Sequence, residues 1–260
     1  LEKLNQKLSI KRYSINTIKI YLHYVEEFLM AFDTDIYHIP KYKAVEYLMD
    51  YNYSSRSQQN QVISSVKALY KYILGVEFSA KNIERPRKAK KLPKVIDNYF
   101  LKSKLDAIEN IKHQALLKLT YSVGLRVGDI INLKIKDIDS KQMLIYIRSG
   151  KGCKDRIVPL SDNMLELLRE YYKKYKPQVY LFNGQTKIQY TESSCNKLIK
   201  KYIGKDYHMH MLRHSFATYA LEKGTDLGTI GDILGHNDIK TTMIYTHIST
   251  KHLKKAHLPI

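Results

Sequence analysis

What most limits the architecture of this chain is a stretch near its first third that resists regular structure. From Lys81 to Lys94 the sequence KNIERPRKAKKLPK carries two prolines, seven basic residues and one acidic residue, with no apolar periodicity. Proline removes a main-chain donor and turns the residue before it away from the helical region, so neither a helix nor a central strand runs through such a segment. It separates whatever folds before it from whatever folds after it. The sequence therefore predicts two bodies, residues 1–84 and residues 96–260, joined by a basic linker over 85–95.

Both bodies read as helical. Ile18, Tyr21, Leu22, Val25, Phe28, Leu29 and Phe32 recur at helical spacing behind Ser14, a good N-cap. A shorter helix follows around Ala44 to Asp50. A third runs from about Ser55 to Leu74, with Val62, Ile63, Val66, Leu69, Tyr70 and Ile73 on one face and Gly75 at the stop position. Beyond the linker, helical patterns near Asp97–Asn110 and Lys112–Val123 lead into two extended runs, Met143–Arg148 and Arg156–Leu160. Gly150 and Gly152 between them mark a β-hairpin. Helices resume over Asp162–Tyr175 and Glu192–Tyr202, and several more fill the chain from about Met209 to Ala256. The predicted fold class is mainly α with a small antiparallel β-sheet.

The charge balance points to a partner. Lys and Arg number 44 against 25 Asp and Glu, a formal charge of +19, which exceeds what solubility asks and implies a polyanion. Nucleic acid fits better than an anionic membrane surface, because charged residues interrupt every apolar segment; a soluble, cytoplasmic chain is expected, with no membrane partner. Cys153 and Cys195 stand in no metal-binding or disulfide spacing and are expected to be unpaired thiols. Arg85, Arg87, Lys88, Lys90 and Lys91 in the linker suit a path along phosphates, although a solvated tether has the same composition. The polar start of the third helix, with Arg56, Gln58 and Asn60, is either a solvated surface or a face toward phosphates and base edges.

Three segments carry more specific information. They are Gly124-Leu125-Arg126-Val127-Gly128-Asp129-Ile130, then His210-Met211-Leu212-Arg213-His214-Ser215-Phe216-Ala217-Thr218, then Leu234-Gly235-His236 followed by Thr241-Thr242-Met243-Ile244-Tyr245-Thr246-His247. With Gly150-Lys151-Gly152 in the hairpin, this ordered set resembles the tyrosine recombinase (phage integrase) family. In size and layout the chain is most similar to Xer-type recombinases and simple integrases. A single motif of this kind arises by chance, whereas the ordered set spread from Gly124 to His247 is specific. The likeness spans the larger body; the N-terminal helices fit the family's smaller DNA-binding domain more loosely.

The resemblance implies a site-specific recombinase that cuts and rejoins double-stranded DNA through a 3′-phosphotyrosyl intermediate, for integration, excision or resolution. Tyr245 would be the nucleophile, Arg126 and Arg213 the phosphate-binding cations, and Lys151 the general acid for the leaving 5′ oxygen, with Lys154 a close rival or a DNA contact. His210 would accept the phenolic proton or donate to the phosphate, and His236 would donate to the phosphate. The chemistry supports these types independently: a phosphodiester under attack gathers negative charge on its non-bridging oxygens, and planar guanidinium groups hold two such oxygens at once. A phenol with an ordinary pKa near 10 needs an electropositive site or a base to become a nucleophile at neutral pH.

Asp129, one turn after Arg126, reads either as a carboxylate that orients a catalytic side chain or as an ordinary helix acid. His214 reads as structural: the pair His210 and His214 lacks the Glu of a zinc-binding H-E-x-x-H, so no metal is expected, and ester exchange needs no cofactor. Gly231 and Gly235 read as turn glycines that aim His236. The family also implies several protomers on paired sites, four in a synaptic complex, with the tail from Ser249 to Ala256 packed on a neighbour; a tail folded onto its own domain is the alternative. Two other functions stay open at this point, a type IB topoisomerase-like relaxation of DNA and a catalytically inactive architectural DNA-binding protein.

Overall fold

The computed structural model describes residues 1–32, 34–78, 92–148, 155–184, 188–236 and 238–246. The chain divides into two compact units, Leu1–Lys90 and Lys91–Ile260.

Among its described residues the first unit has four α-helices: α1 (Glu2–Ile10), α2 (Ile15–Met30), α3 (Lys41–Asp50) and α4 (Arg56–Ile73). Ser14 caps α2, its hydroxyl accepting from the Thr17 amide at 3.1 Å, and Ser55 caps α4 in the same way through Gln58. Their apolar faces meet in one core built from Leu4, Leu8, Val25, Phe28, Ala44, Leu48, Val62, Ile63, Val66 and Tyr70. Phe28 lies edge-on to Tyr47 at 5.1 Å, and the Tyr51 hydroxyl donates to Glu27 at 2.8 Å, so the rings bury their bodies and keep a polar tip satisfied. The sequence pattern passes over α1, whose burial rests on only Leu4 and Leu8, one helical turn apart.

The second unit begins with α5 (Asn98–Asp106), α6 (Ile111–Ser122) and α7 (Val127–Asn132). A three-stranded antiparallel sheet follows in the order β1 (Ile138–Asp139), β2 (Leu144–Ile147), β3 (Arg156–Pro159). Ile145 faces Val158 across the ladder and Ile147 faces Arg156. Alternation turns Ile145, Ile147 and Val158 into the core. The sheet is followed by α8 (Asp162–Tyr175), α9 (Glu192–Tyr202), α10 (Met209–Glu222), α11 (Leu227–Leu234) and α12 (Lys240–Met243). Leu116, Leu119, Leu125, Ile130, Ile145, Leu168, Phe182, Ile199 and Leu212 belong to its main core. Cys195 is buried there as a free thiol. A smaller apolar cluster of Ala217, Ala220, Leu221, Ile230, Leu234 and Tyr245 joins α10, α11 and the end of α12. Among the described residues no helix is long and apolar enough to cross a membrane.

Candidate active site

Three backbone corners of the second unit bring the motif residues together. The first follows α6, where Gly124 adopts φ +61°, and a Cβ built there would stand 2.6 Å from Phe216 and 2.7 Å from Leu234. Only glycine fits both the left-handed backbone and the space. The corner throws Arg126 to the start of α7, where its amide donates to the Asp129 carboxylate at 3.0 Å. Its guanidinium Nη2 donates to the carbonyl of Gly235 at 3.0 Å.

The second corner is the inner face of α10. Arg213 is 1% exposed, the largest fully buried side chain among the described residues. Its Nη1 donates to the carbonyl of Gly124 at 2.8 Å and its Nη2 to that of Leu234 at 2.7 Å. The two guanidinium groups thus dock on consecutive carbonyls, Leu234 and Gly235, at the end of α11. Burial, followed by the neighbouring Arg126 charge, pushes the Arg213 pKa down to about 9, so the group still carries its charge at neutral pH. Burial also lowers Arg126, with Arg156 adding to it and Asp129 opposing it.

At the third corner Gly235 closes α11 with φ +64°, and a Cβ there would lie 2.9 Å from Cδ of Arg156. Gly231 differs from the turn residue expected: it lies inside α11, where a Cβ would stand 3.2 Å from the Thr242 hydroxyl, and its smallness lets α12 approach. His236 follows, its amide donating to the Gly231 carbonyl at 2.9 Å and its Nδ1 lying 2.8 Å from the Thr242 hydroxyl. Burial first, then the charges of Arg213, Arg126 and Arg156, push the His236 pKa down to about 4. The ring is therefore neutral at pH 7. In the tautomer that accepts from Thr242, Nε2 carries the proton and can donate to an anion.

Tyr245 is 1% exposed and its ring packs in the small apolar cluster. Its hydroxyl lies 3.0 Å from Nδ1 of His214. Burial raises its pKa, against the downward pull of Arg213 and then Arg126. The ring beside the phenol oxygen is thus His214, which the motif pattern treats as structural. His210, the partner expected from the sequence, is exposed and stands edge-on to the His214 ring with centroids 4.5 Å apart. Burial, then the His210 and Arg213 charges, push the His214 pKa down to about 4.

One further residue escaped the sequence reading. Arg156, the first residue of β3, donates from Nη2 to Asp129 at 2.5 Å and from Nε to the carbonyl of Ile233 at 2.8 Å. This ion pair is buried on both sides, 8% and 4% exposed. Asp129 therefore caps the Arg126 amide and neutralises Arg156, which packs against the Gly235 corner. No linear spacing links Asp129 to Arg156; a lone basic residue opening a strand is the only signal.

Among the described residues no group of three His, Cys, Asp or Glu side chains is arranged to hold a metal ion. Lys151, Lys154, Arg85, Arg87, Lys88, Lys90 and Lys91 lie outside the described residues, as do the hairpin turn, most of the linker and the tail. On α4, Arg56 is exposed. Asn60 donates to the Arg56 carbonyl at 3.0 Å. The Gln58 side-chain oxygen accepts from the amide and hydroxyl of Ser54 at 2.6 and 2.7 Å, which commits that oxygen to the helix start.

Residues 94–252 match the model of the phage integrase family, and residues 1–80 match that of the phage integrase N-terminal SAM-like domain. The chain belongs to the phage integrase family. Within that family it is 34% identical to tyrosine recombinase XerA of Pyrococcus horikoshii, over 98% of this chain and 91% of that one. A solved structure of the XerH site-specific recombinase, bound to a palindromic difH substrate in a post-cleavage complex, is 25% identical. It matches with a TM-score of 0.75 over 94% of this chain and 80% of that one. A lambda integrase tetramer bound to a Holliday junction shares the fold with a TM-score of 0.73 at 14% identity, covering 100% of this chain and 78% of that one. This phage integrase family member is thus a tyrosine recombinase of the Xer type in sequence and architecture.

Proposed function

We propose that this protein cleaves and rejoins double-stranded DNA at specific sites through a covalent bond from Tyr245 to a 3′ phosphate. The reading is carried by one observation: Arg126 and Arg213 dock on the adjoining carbonyls of Gly235 and Leu234, directly before His236, while both charges act on the Tyr245 phenol. The arrangement supplies what phosphoryl transfer requires, fixed positive charge around one phosphate and an oxygen nucleophile nearby.

In the proposed reaction the Tyr245 oxygen attacks phosphorus, the bond from phosphorus to the 5′ oxygen breaks, and that oxygen takes up a proton. Arg126 and Arg213 meet the charge growing on the non-bridging oxygens, and neutral His236 donates from Nε2. Lys151, in the segment joining β2 and β3, is the general acid, with Lys154 its alternative. Exposed His210, on α10, takes up the phenolic proton or donates to the same phosphate. One phosphate ester replaces another, so the reverse step can join a different strand.

The partner is a DNA duplex carrying recombination sites, engaged by a homo-oligomer; the lambda integrase tetramer on a Holliday junction is the assembly this reading adopts. Arg56, Gln58 and Asn60 of α4, and the basic linker from Arg85 to Lys91, are proposed DNA contacts. DNA affinity should fall steeply as salt rises.

The test incubates the protein with supercoiled plasmids carrying sites from its genomic neighbourhood and maps the covalent junction on nicked suicide substrates. Tyr245→Phe is expected to bind DNA as the wild type does and to yield no covalent complex. Undiminished trapping in that variant moves the nucleophile elsewhere. Relaxation of plasmids without exchange between duplexes would select a topoisomerase instead.

A further inference from the structure

The Tyr245 oxygen is the group expected to react, yet it lies in an apolar cluster rather than in the open. Among the described residues its one hydrogen-bond partner is Nδ1 of His214, at 3.0 Å. The direction of that bond follows from satisfaction. Were Nδ1 the donor, the phenol's own proton would be buried without an acceptor among the described residues, which costs more than the bond returns. The phenol therefore donates and His214 accepts, with the imidazole proton on Nε2. The ring shares its buried cluster with Ala217, Leu221, Ile230 and Leu234, so the contact with His214 supplies the polar part of the fit.

We propose that His214 is a positioning residue that latches the free phenol and thereby holds the cleavage equilibrium toward intact DNA. The proposal rests on Tyr245 being the nucleophile. Cleavage consumes the bond's donor: the phenol O–H and the bond from phosphorus to the 5′ oxygen are exchanged for a phosphotyrosyl ester and a 5′ O–H. The ester oxygen has no proton to give to Nδ1. The bond exists only before cleavage, and whatever it contributes favours the uncleaved state. Burial keeps His214 neutral down to about pH 4, so the acceptor is present across the working range. His210 touches the same imidazole edge-on but leaves Nδ1 to the phenol.

The experiment measures the fraction of full-length protein covalently joined to an intact duplex site at equilibrium, after a denaturing quench. His214→Phe keeps the ring and removes the acceptor. It should raise the covalent fraction about fivefold, the factor that a net neutral hydrogen bond supplies. His214→Asn keeps an acceptor near the Nδ1 position and should stay close to wild type. An unchanged or lower fraction in His214→Phe, or an equal rise in both variants, overturns the proposal. Should His214→Phe fail to fold, imidazole ¹⁵N spectra of the wild type and Tyr245→Phe read the same contact. The His214 Nδ1 resonance must move, and its constancy overturns the latch. Tyr245→Phe run alongside separates the two failures: covalent complexes in that variant sink the nucleophile assignment, whereas their absence with an unmoved His214→Phe sinks the latch alone.

Discussion

The two halves of this site are held by different means. The cationic half is tied by the main chain: Arg213 bonds the carbonyls of Gly124 and Leu234, Arg126 that of Gly235, and Arg156 that of Ile233. Carbonyls at helix ends and glycine corners move only if the helices move. The half proposed to be nucleophilic is tied, among the described residues, by one side-chain hydrogen bond, from Tyr245 to His214, just beyond the four-residue helix α12. A receptor for charge needs to be preorganised before the reaction, because reorganising it during the reaction adds to the barrier. A nucleophile that must also be released needs a hold that is easily broken. The architecture gives each half the anchoring that its proposed task requires.

The sharpest way to break this contrast is on the cationic side. Arg213→Lys replaces a planar fork that spans two carbonyls and a phosphate with a single compact ammonium that cannot hold that geometry, and should cut the single-turnover cleavage rate by about a thousandfold while DNA affinity changes little. A rate near wild type would mean that the buried guanidinium is scaffolding alone. Asp129→Asn comes next. It leaves the Arg156 charge buried without its counterion and should lower unfolding stability by about 3 kcal/mol in denaturant titrations. An unshifted midpoint would show that the corner at Gly235 does not depend on that pair.

The smallest expected effect lies in acid and sharpens the other half. His214 and His236 both have folded pKa values near 4, below the ordinary value of 6.5. Between those values the unfolded chain binds more protons than the folded one. Stability should therefore be complete above about pH 6.5 and drain away as pH falls toward 4. In His214→Phe that slope should be shallower; an unaltered slope would assign the acid sensitivity to other groups.

Much of this arrangement can be read from the sequence where local chemistry decides it. Helices α8 and α9 begin and end where their amphipathic patterns do, and Ser14 and Ser55 mark true helix starts. The mainly helical class with a small antiparallel sheet follows from the same periodicities. Local pattern fails where few residues carry the signal, as for α1 and for the two residues of β1, whose place in the sheet comes from pairing with β2. The motifs mark Arg126, Arg213, His236 and Tyr245 because the order of such boxes along a chain is informative. They do not reveal Arg156, whose importance lies in facing a carboxylate 27 residues earlier. Nor do they reveal His214, since spacing along α10 says nothing of a hydroxyl 31 residues later.

The two carbonyls that hold Arg213 come from Gly124, 89 residues before it, and Leu234, 21 residues after it. A polypeptide emerging from the ribosome carries Arg126 long before it carries the means to hold Arg213 in place. The cationic centre therefore arises only when synthesis has passed α11 and those distant segments have closed on one another. An incomplete or partly unravelled copy lacks this finished receptor for a phosphate's charge.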